Sequence, residues 1–154
     1  MPGASIDHDK GGRRSLVIAR ASLCLATIAC GLALRGWGFG LGLPAFVVKY
    51  GGSVLWGTMV FFLVAIAASC LCRPRIALIA PGIAIGVELF RLVHFPWLDA
   101  FRLTLPGALL LGRIFSVWNI VAYGVGIGLG VILDGLAAMP IRRATAPDSS
   151  HSAN

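Results

Sequence analysis

Charge is scarce in this chain. Only 12% of its 154 residues are Asp, Glu, Lys or Arg, against about a quarter in soluble domains, so an ordinary water-soluble domain is excluded. The familiar enzyme signatures are missing as well. There is no G-x-S-x-G elbow, no P-loop, no pair of carboxylates and no His/Cys cluster, which removes the usual marks of hydrolases, nucleotidases and metalloenzymes. The four cysteines, Cys24, Cys30, Cys70 and Cys72, fall within the expected spans, where cysteine behaves as a small apolar residue. Cys70 and Cys72 would sit about 200° apart around a helix with no nearby histidine, so neither metal nor cofactor is expected.

What the chain has instead is apolar length: 58% hydrophobic residues and a mean hydropathy of +0.89. A helix needs about 20 residues to cross a hydrocarbon core. Ala21 to Leu34 (extended back past Arg20), Tyr50 to Cys72 and Ile114 to Leu133 reach or approach that length. A fourth stretch, Ile76 to Val87, covers only about 18 Å, so completing a span there carries Glu88 and Arg91 into the membrane. The sequence therefore predicts an all-α polytopic membrane protein, with four transmembrane helices near 15–35, 53–72, 76–94 and 115–137. Polar tails at 1–14 and 138–154 are expected to be disordered and to flank one domain at 15–137.

The net charge of +7 does not read as a nucleic-acid patch, because Lys and Arg sit at the ends of apolar runs. With four spans and the N-terminus inside, Lys10, Arg13, Arg14, Arg20, Arg73, Arg75, Arg142 and Arg143 are cytoplasmic. Arg35, Lys49, Arg91, Arg102 and Arg113 are external, eight against five in the direction of the positive-inside rule. Both termini are expected on the cytoplasmic side of the membrane. Arg13-Arg14 and Ala29-Cys30 loosely resemble export signals, but Thr27 stands where a lipoprotein box wants an aliphatic residue. The first apolar run is thus expected to be retained as a span.

Two segments between spans, 36–52 and 95–114, are long and apolar, and they match each other. Phe39, Leu41, Leu43, Pro44 and Trp56 recur as Phe101, Leu103, Leu105, Pro106 and Trp118 at a constant offset of 62 residues. This pattern predicts a tandem repeat of two helix, re-entrant or interfacial segment, helix units, about 16–72 and 76–137. Pro44 to Tyr50 and Pro106 to Gly112 would be the half-helices.

The second unit holds the chemistry. Glu88 and Arg91 are spaced i, i+3 on one helix face, and Asn119 and Tyr123 are spaced i, i+4, with Ser116 a turn earlier. Intramembrane charge marks a function or demands a partner. A buried ion pair and a ligand or proton site both fit Glu88 and Arg91, and interhelical hydrogen bonding also fits Asn119 and Tyr123. Gly82 and Gly86, and Gly124, Gly126, Gly128 and Gly130, supply small faces for helix packing. Trp37, Trp56, Trp97 and Trp118 fall near the outer span ends, as in an aromatic belt.

The run Leu43-Pro44, Lys49-Tyr50-x-Gly52-Ser53-x-Leu55-Trp56, then Val87-Glu88-Leu89, Pro96-Trp97-Leu98-Asp99, Arg102, Leu111-Gly112, Phe115 and Tyr123-x-x-Gly126 resembles a bacterial family of small integral-membrane proteins, domain of unknown function 2809. More distantly, Glu88, Arg102 and Asn119 followed by Gly126 and Gly130 are similar to the pattern of the VanZ-like membrane family. The first family's pattern has Asp where Ser53 stands, Gln where Arg91 stands and Asp where Asn119 stands. Those departures make the cluster more cationic.

Glu88, Arg91, Arg102, Asn119 and Tyr123 are therefore the expected ligand-binding set. Arg91 and Arg102 would take an anionic lipid headgroup or small molecule, and Glu88 would orient an arginine. The alternatives are an accessory or assembly subunit packing against a membrane partner or a second copy, and a membrane enzyme acting on a lipid-linked substrate with Glu88 as base.

Overall fold

The structure, a computed structural model, describes residues 4–104, 107 and 116–145. Five helices make up the described chain: α1 (Ala4–Trp37), α2 (Ala45–Ala67), α3 (Arg73–Phe90), α4 (Pro96–Leu103) and α5 (Val117–Thr145). No strand occurs among the described residues.

Prolines and one glycine set the boundaries. Pro44, with φ −58° and ψ 143°, is the N-cap of α2, and its carbonyl accepts the first bonds from Val47 and Val48. Pro74 lies in the first turn of α3, where a missing N–H removes no helix bond. Phe95 is held extended by Pro96, which closes the α3–α4 turn and starts α4. Gly42 adopts φ +75°, and it ends the turn at 38–43 in a conformation that side-chain-bearing residues avoid.

The expected half-helix at Pro44–Tyr50 is not a separate element. It forms the first turns of a continuous α2 running to Ala67. Gly51-Gly52 is the local weakness at that junction, about 1 kcal/mol per glycine. Packing offsets it, because the Leu34 methyl group lies only 3.0 Å from where a Gly51 Cβ would stand. The expected second half-helix, Pro106 to Gly112, lies outside the described residues apart from Gly107. Between the third and last long helices the chain forms α4, whereas the corresponding place after α1 holds only turns.

Contacts fix the directions of the helices. Arg20 reaches the Ala65 carbonyl while Gly31 lies beside Leu55, so α1 and α2 are antiparallel. Arg73 meets Asp134 while Glu88 meets Asn119, so α3 and α5 are antiparallel too. Gly57 lies under Tyr123 and Phe61 under Gly130, so α2 and α5 run parallel.

The α2–α5 seam is the closest approach in the bundle. A Cβ on Gly57 would stand 2.6 Å from the Tyr123 carbonyl, and one on Gly126 would collide with the Val54 carbonyl. Thr58 Oγ1 donates across the seam to the Gly126 carbonyl at 2.8 Å. Among the described residues nothing lies within 4 Å of where a Cβ on Gly82, Gly86, Gly124 or Gly128 would stand. Only Gly126 and Gly130 of the expected small faces are used in packing, and they are joined by Gly57.

Phe61, Phe62 and Ala65 of α2 form the core with Ile76, Ala80 and Ala84 of α3, Tyr123 and Ile127 of α5, and Cys24 of α1. On α3 the inward stripe recurs every fourth residue and ends at Glu88. The opposite surfaces are apolar and exposed, with Leu25, Leu78, Val121, Val125 and Ile132 all facing outward. Three helical stretches, Gly11–Trp37, Ala45–Ala67 and Val117–Pro140, are long and apolar enough to cross a bilayer. An apolar exterior on such helices defines a membrane protein. Of the four tryptophans, Trp37, Trp97 and Trp118 are exposed near helix ends, but Trp56 packs inward against Tyr123.

The seam is directly testable. Gly126→Ala should lower stability by about 1–3 kcal/mol through overpacking, whereas Gly124→Ala, open to its surroundings, should stay within about 0.5 kcal/mol. Thermal unfolding in detergent reads both, and equal losses would contradict the seam.

Candidate functional site

Glu88 is the centre of the first cluster. It ends the inward stripe of α3, so its carboxyl group is aimed at the start of α5 and is fully buried. Oε1 accepts the Ser116 backbone N–H at 2.9 Å and Asn119 Nδ2 at 3.1 Å. Oε2 accepts the Tyr123 hydroxyl at 2.8 Å and pairs with Arg91 Nη1 at 2.6 Å. Two donors on each oxygen use the full acceptor capacity of a carboxylate. The group also lies at the N-terminus of α5, where negative charge is favoured. Glu88 thus caps α5 from a neighbouring helix.

The surrounding shell extends to α2. Asn119 Oδ1 faces the Ser53 hydroxyl at 3.3 Å, and that hydroxyl is also 3.2 Å from the Lys49 carbonyl. The Tyr123 ring packs on Trp56 with centroids 4.7 Å apart. Trp56 Nε1 is buried with no hydrogen-bond partner among the described residues. Ser53, Arg91 and Asn119 all belong to this network.

Four of the five expected site residues, Glu88, Arg91, Asn119 and Tyr123, are therefore in mutual contact. Arg102 lies in α4, and its side chain is outside the described residues. His94 is exposed, its Nδ1 2.9 Å from the Leu92 carbonyl.

A second buried cluster lies at the opposite end of α3 and was missed in the sequence. Asp134 of α5 is fully buried between two arginines. Arg20 Nε and Nη2 grip its two oxygens at 2.7 and 3.2 Å, and Arg20 Nη1 donates to the Ala65 carbonyl at 2.9 Å. Arg73 Nε meets Oδ2 at 2.7 Å, while its Nη2 reaches the Asp134 carbonyl at 3.2 Å. Sequence reading took Arg20 and Arg73 as topological charges. The available signal was Asp134 itself, an acid adjoining the last apolar run.

Cys24 and Cys30 lie in α1, but α2 ends at Ala67, so Cys70 lies in the α2–α3 turn and Cys72 is the N-cap of α3 rather than within a span helix as expected. Among the described residues no three His, Cys, Asp or Glu side chains are grouped to hold a metal ion.

Fold and clusters together define a helical membrane protein whose buried charges are paired within the chain. Residues 42–127, more than half of the sequence, match the family described as Protein of unknown function (DUF2809), and the chain belongs to that family. No curated protein and no solved structure matches it. The matched stretch contains the whole Glu88 network and Arg73, whereas Arg20 and Asp134 lie beyond it.

Removing one member of a buried pair leaves the other charge uncompensated. Glu88→Leu should therefore cost about 3–5 kcal/mol, and Tyr123→Phe about 0.6–1.7 kcal/mol, the range for hydrogen bonds inside membranes. The double variant Glu88→Leu/Arg91→Leu should recover part of the first loss. Detergent unfolding of wild type, these three variants and Arg91→Leu checks this, and simple additivity of Glu88→Leu and Arg91→Leu in the double variant would argue against the pair.

Proposed function

We propose that the chain is a four-span protein of a bacterial cytoplasmic membrane that acts as an accessory or assembly subunit, packing against a membrane partner or a second copy. The observation that carries this reading is the saturated carboxylate of Glu88, every acceptor position of which is filled from within the chain. Such a cluster serves as an internal clasp. It holds the bundle and leaves the apolar outer faces for contact with other membrane components.

Four spans are supported by α3, whose 18 residues cover about 27 Å and run antiparallel to α5. Alternating directions along α1, α2, α3 and α5 return the chain to its starting side, so both termini share it. The positive-inside count favours the cytoplasm for that side. A duplication of a two-helix unit fits the parallel course of α2 and α5.

The second reading is recognition of an anionic lipid headgroup or small molecule by Arg91 and Arg102, with Asn119 and Tyr123 as neutral donors. Its support is the placement of Arg91 and Arg102 on neighbouring elements, the C-cap of α3 and α4. Glu88 and Asp99 stand on the same elements and balance Arg91 and Arg102 in formal charge, whereas an anion site benefits from a surplus. A role for Glu88 as catalytic base draws no support from a carboxylate already holding four donors.

Native mass spectrometry of the protein released from membranes, wild type beside Arg102→Ala, separates these readings. A stable second polypeptide or a dimer in both samples, with no anionic species whose binding depends on Arg102, is the expected result. An anionic lipid bound to wild type and lost from Arg102→Ala would overturn it in favour of the anion site. Reporter fusions at the two termini should both report the cytoplasm, and opposite readings would refute four spans.

A further inference from the structure

We propose that the end of the bundle at the α2–α3 turn binds a phosphate group, with Arg73 as its principal ligand. This inference is independent of the accessory-subunit reading, which concerns the other end of α3.

The argument begins with the guanidinium of Arg73. An arginine presents two usable forks, one through Nε and Nη2 and one through Nη1 and Nη2. The first fork of Arg73 is committed: Nε to Asp134 Oδ2 and Nη2 to the Asp134 carbonyl. That attachment fixes the plane and direction of the group. Nη1 has no hydrogen-bond partner among the described residues, and the side chain is 32% exposed. By contrast, the Arg20 side chain is only 5% exposed and also donates Nη1 to Ala65. Arg73 is thus a pre-oriented, partly exposed arginine whose end-on fork keeps Nη1 open, an arrangement suited to the oxygens of a phosphate.

The local charge points the same way. Arg20 and Arg73 share the single carboxylate of Asp134, so the triad keeps a positive charge that nothing within it cancels. Arg75, two residues along α3, is exposed. Arg13 is also exposed, two turns before Arg20 on nearly the same face of α1. Arg73 and Arg75 also occupy the first turn of α3, where the helix dipole opposes cations and favours anions. The N-cap, Cys72, supplies no side-chain hydrogen bond to that turn. Basic residues between helices near a membrane face are suited to anionic headgroups, and a phosphodiester headgroup and free phosphate share the group recognised here. The Glu88 end differs, because there Arg91 is matched by a carboxylate of its own.

The test uses the full chain, purified in neutral detergent and stripped of lipid. Its thermal unfolding is followed against short-chain phosphatidylglycerol and, separately, inorganic phosphate at constant ionic strength. Wild type should show saturable stabilisation. Phosphatidylglycerol alone would assign a lipid headgroup, and inorganic phosphate acting as well would assign the phosphate group itself. Arg73→Lys keeps the charge beside Asp134 but has no second fork, and its apparent Kd should be weaker by about tenfold. Arg75→Gln, at an exposed position outside the triad, should weaken binding by about threefold, the loss of one surface charge, and serves if Arg73→Lys does not fold. No saturable stabilisation of wild type by either probe overturns the proposal. So does an unchanged Kd in Arg73→Lys, or in Arg75→Gln where that variant alone is available.

Discussion

A charge placed among apolar helices must find its counter-charge inside the protein, and α3 meets that requirement at both of its ends. Arg73 and Glu88 stand fifteen residues apart on α3, and their α5 partners, Asp134 and Asn119, stand fifteen residues apart in the opposite direction. Fifteen residues of helix measure about 22 Å. Two fastenings at equal spacing on antiparallel helices specify one register, because a slip by a single turn would strip the partners from both ends at once. Between them α3 presents only Ile76, Ala80 and Ala84 inward. Small side chains allow close approach, and the ionic ends choose which approach is made.

The α2–α5 pair provides the other half of the architecture by a different means. Lipid tails are as apolar as leucine, so helices gain little from burial alone and associate through close packing and hydrogen bonds. Gly57 and Gly126 bring the two backbones together, and Thr58 bridges them. Tyr123 joins the two devices, since its backbone packs on Gly57 while its hydroxyl reaches Glu88. The seam therefore helps to position one of the four donors that hold the carboxylate.

Much of this was legible in the sequence, and the misreadings have definite causes. Glu88, Arg91, Asn119 and Tyr123 stood out because polar residues at helical spacing in an apolar run have few explanations. Arg20, Arg73 and Asp134 did not, because charges near the ends of spans are expected at a membrane surface for topological reasons alone. Long-range pairing between the first and last helices leaves no local pattern. Pro44 was read as the start of a separate half-helix because Leu-Pro recurs at the 62-residue offset and proline suits a first helical turn. In three dimensions Lys49 lies on an exposed face of a continuous helix. The tryptophans show the same limit: proximity to a span end predicts an interfacial ring, but only packing against Tyr123 reveals that Trp56 turns inward.

The order in which the chain is made gives the clasp a temporal meaning. Ribosomes deliver α3 to the membrane with Arg73 and Glu88 already in place, while Ser116, Asn119, Tyr123 and Asp134 are still to be synthesised. During that interval α3 is the least self-sufficient of the long helices, and α2 has an unfilled glycine notch at Gly57. Completion of the last helix satisfies both deficits in one docking event. Assembly is therefore gated by the C-terminal third of the chain, and a nascent protein stalled before that point resembles a client awaiting insertion help more than a folded half.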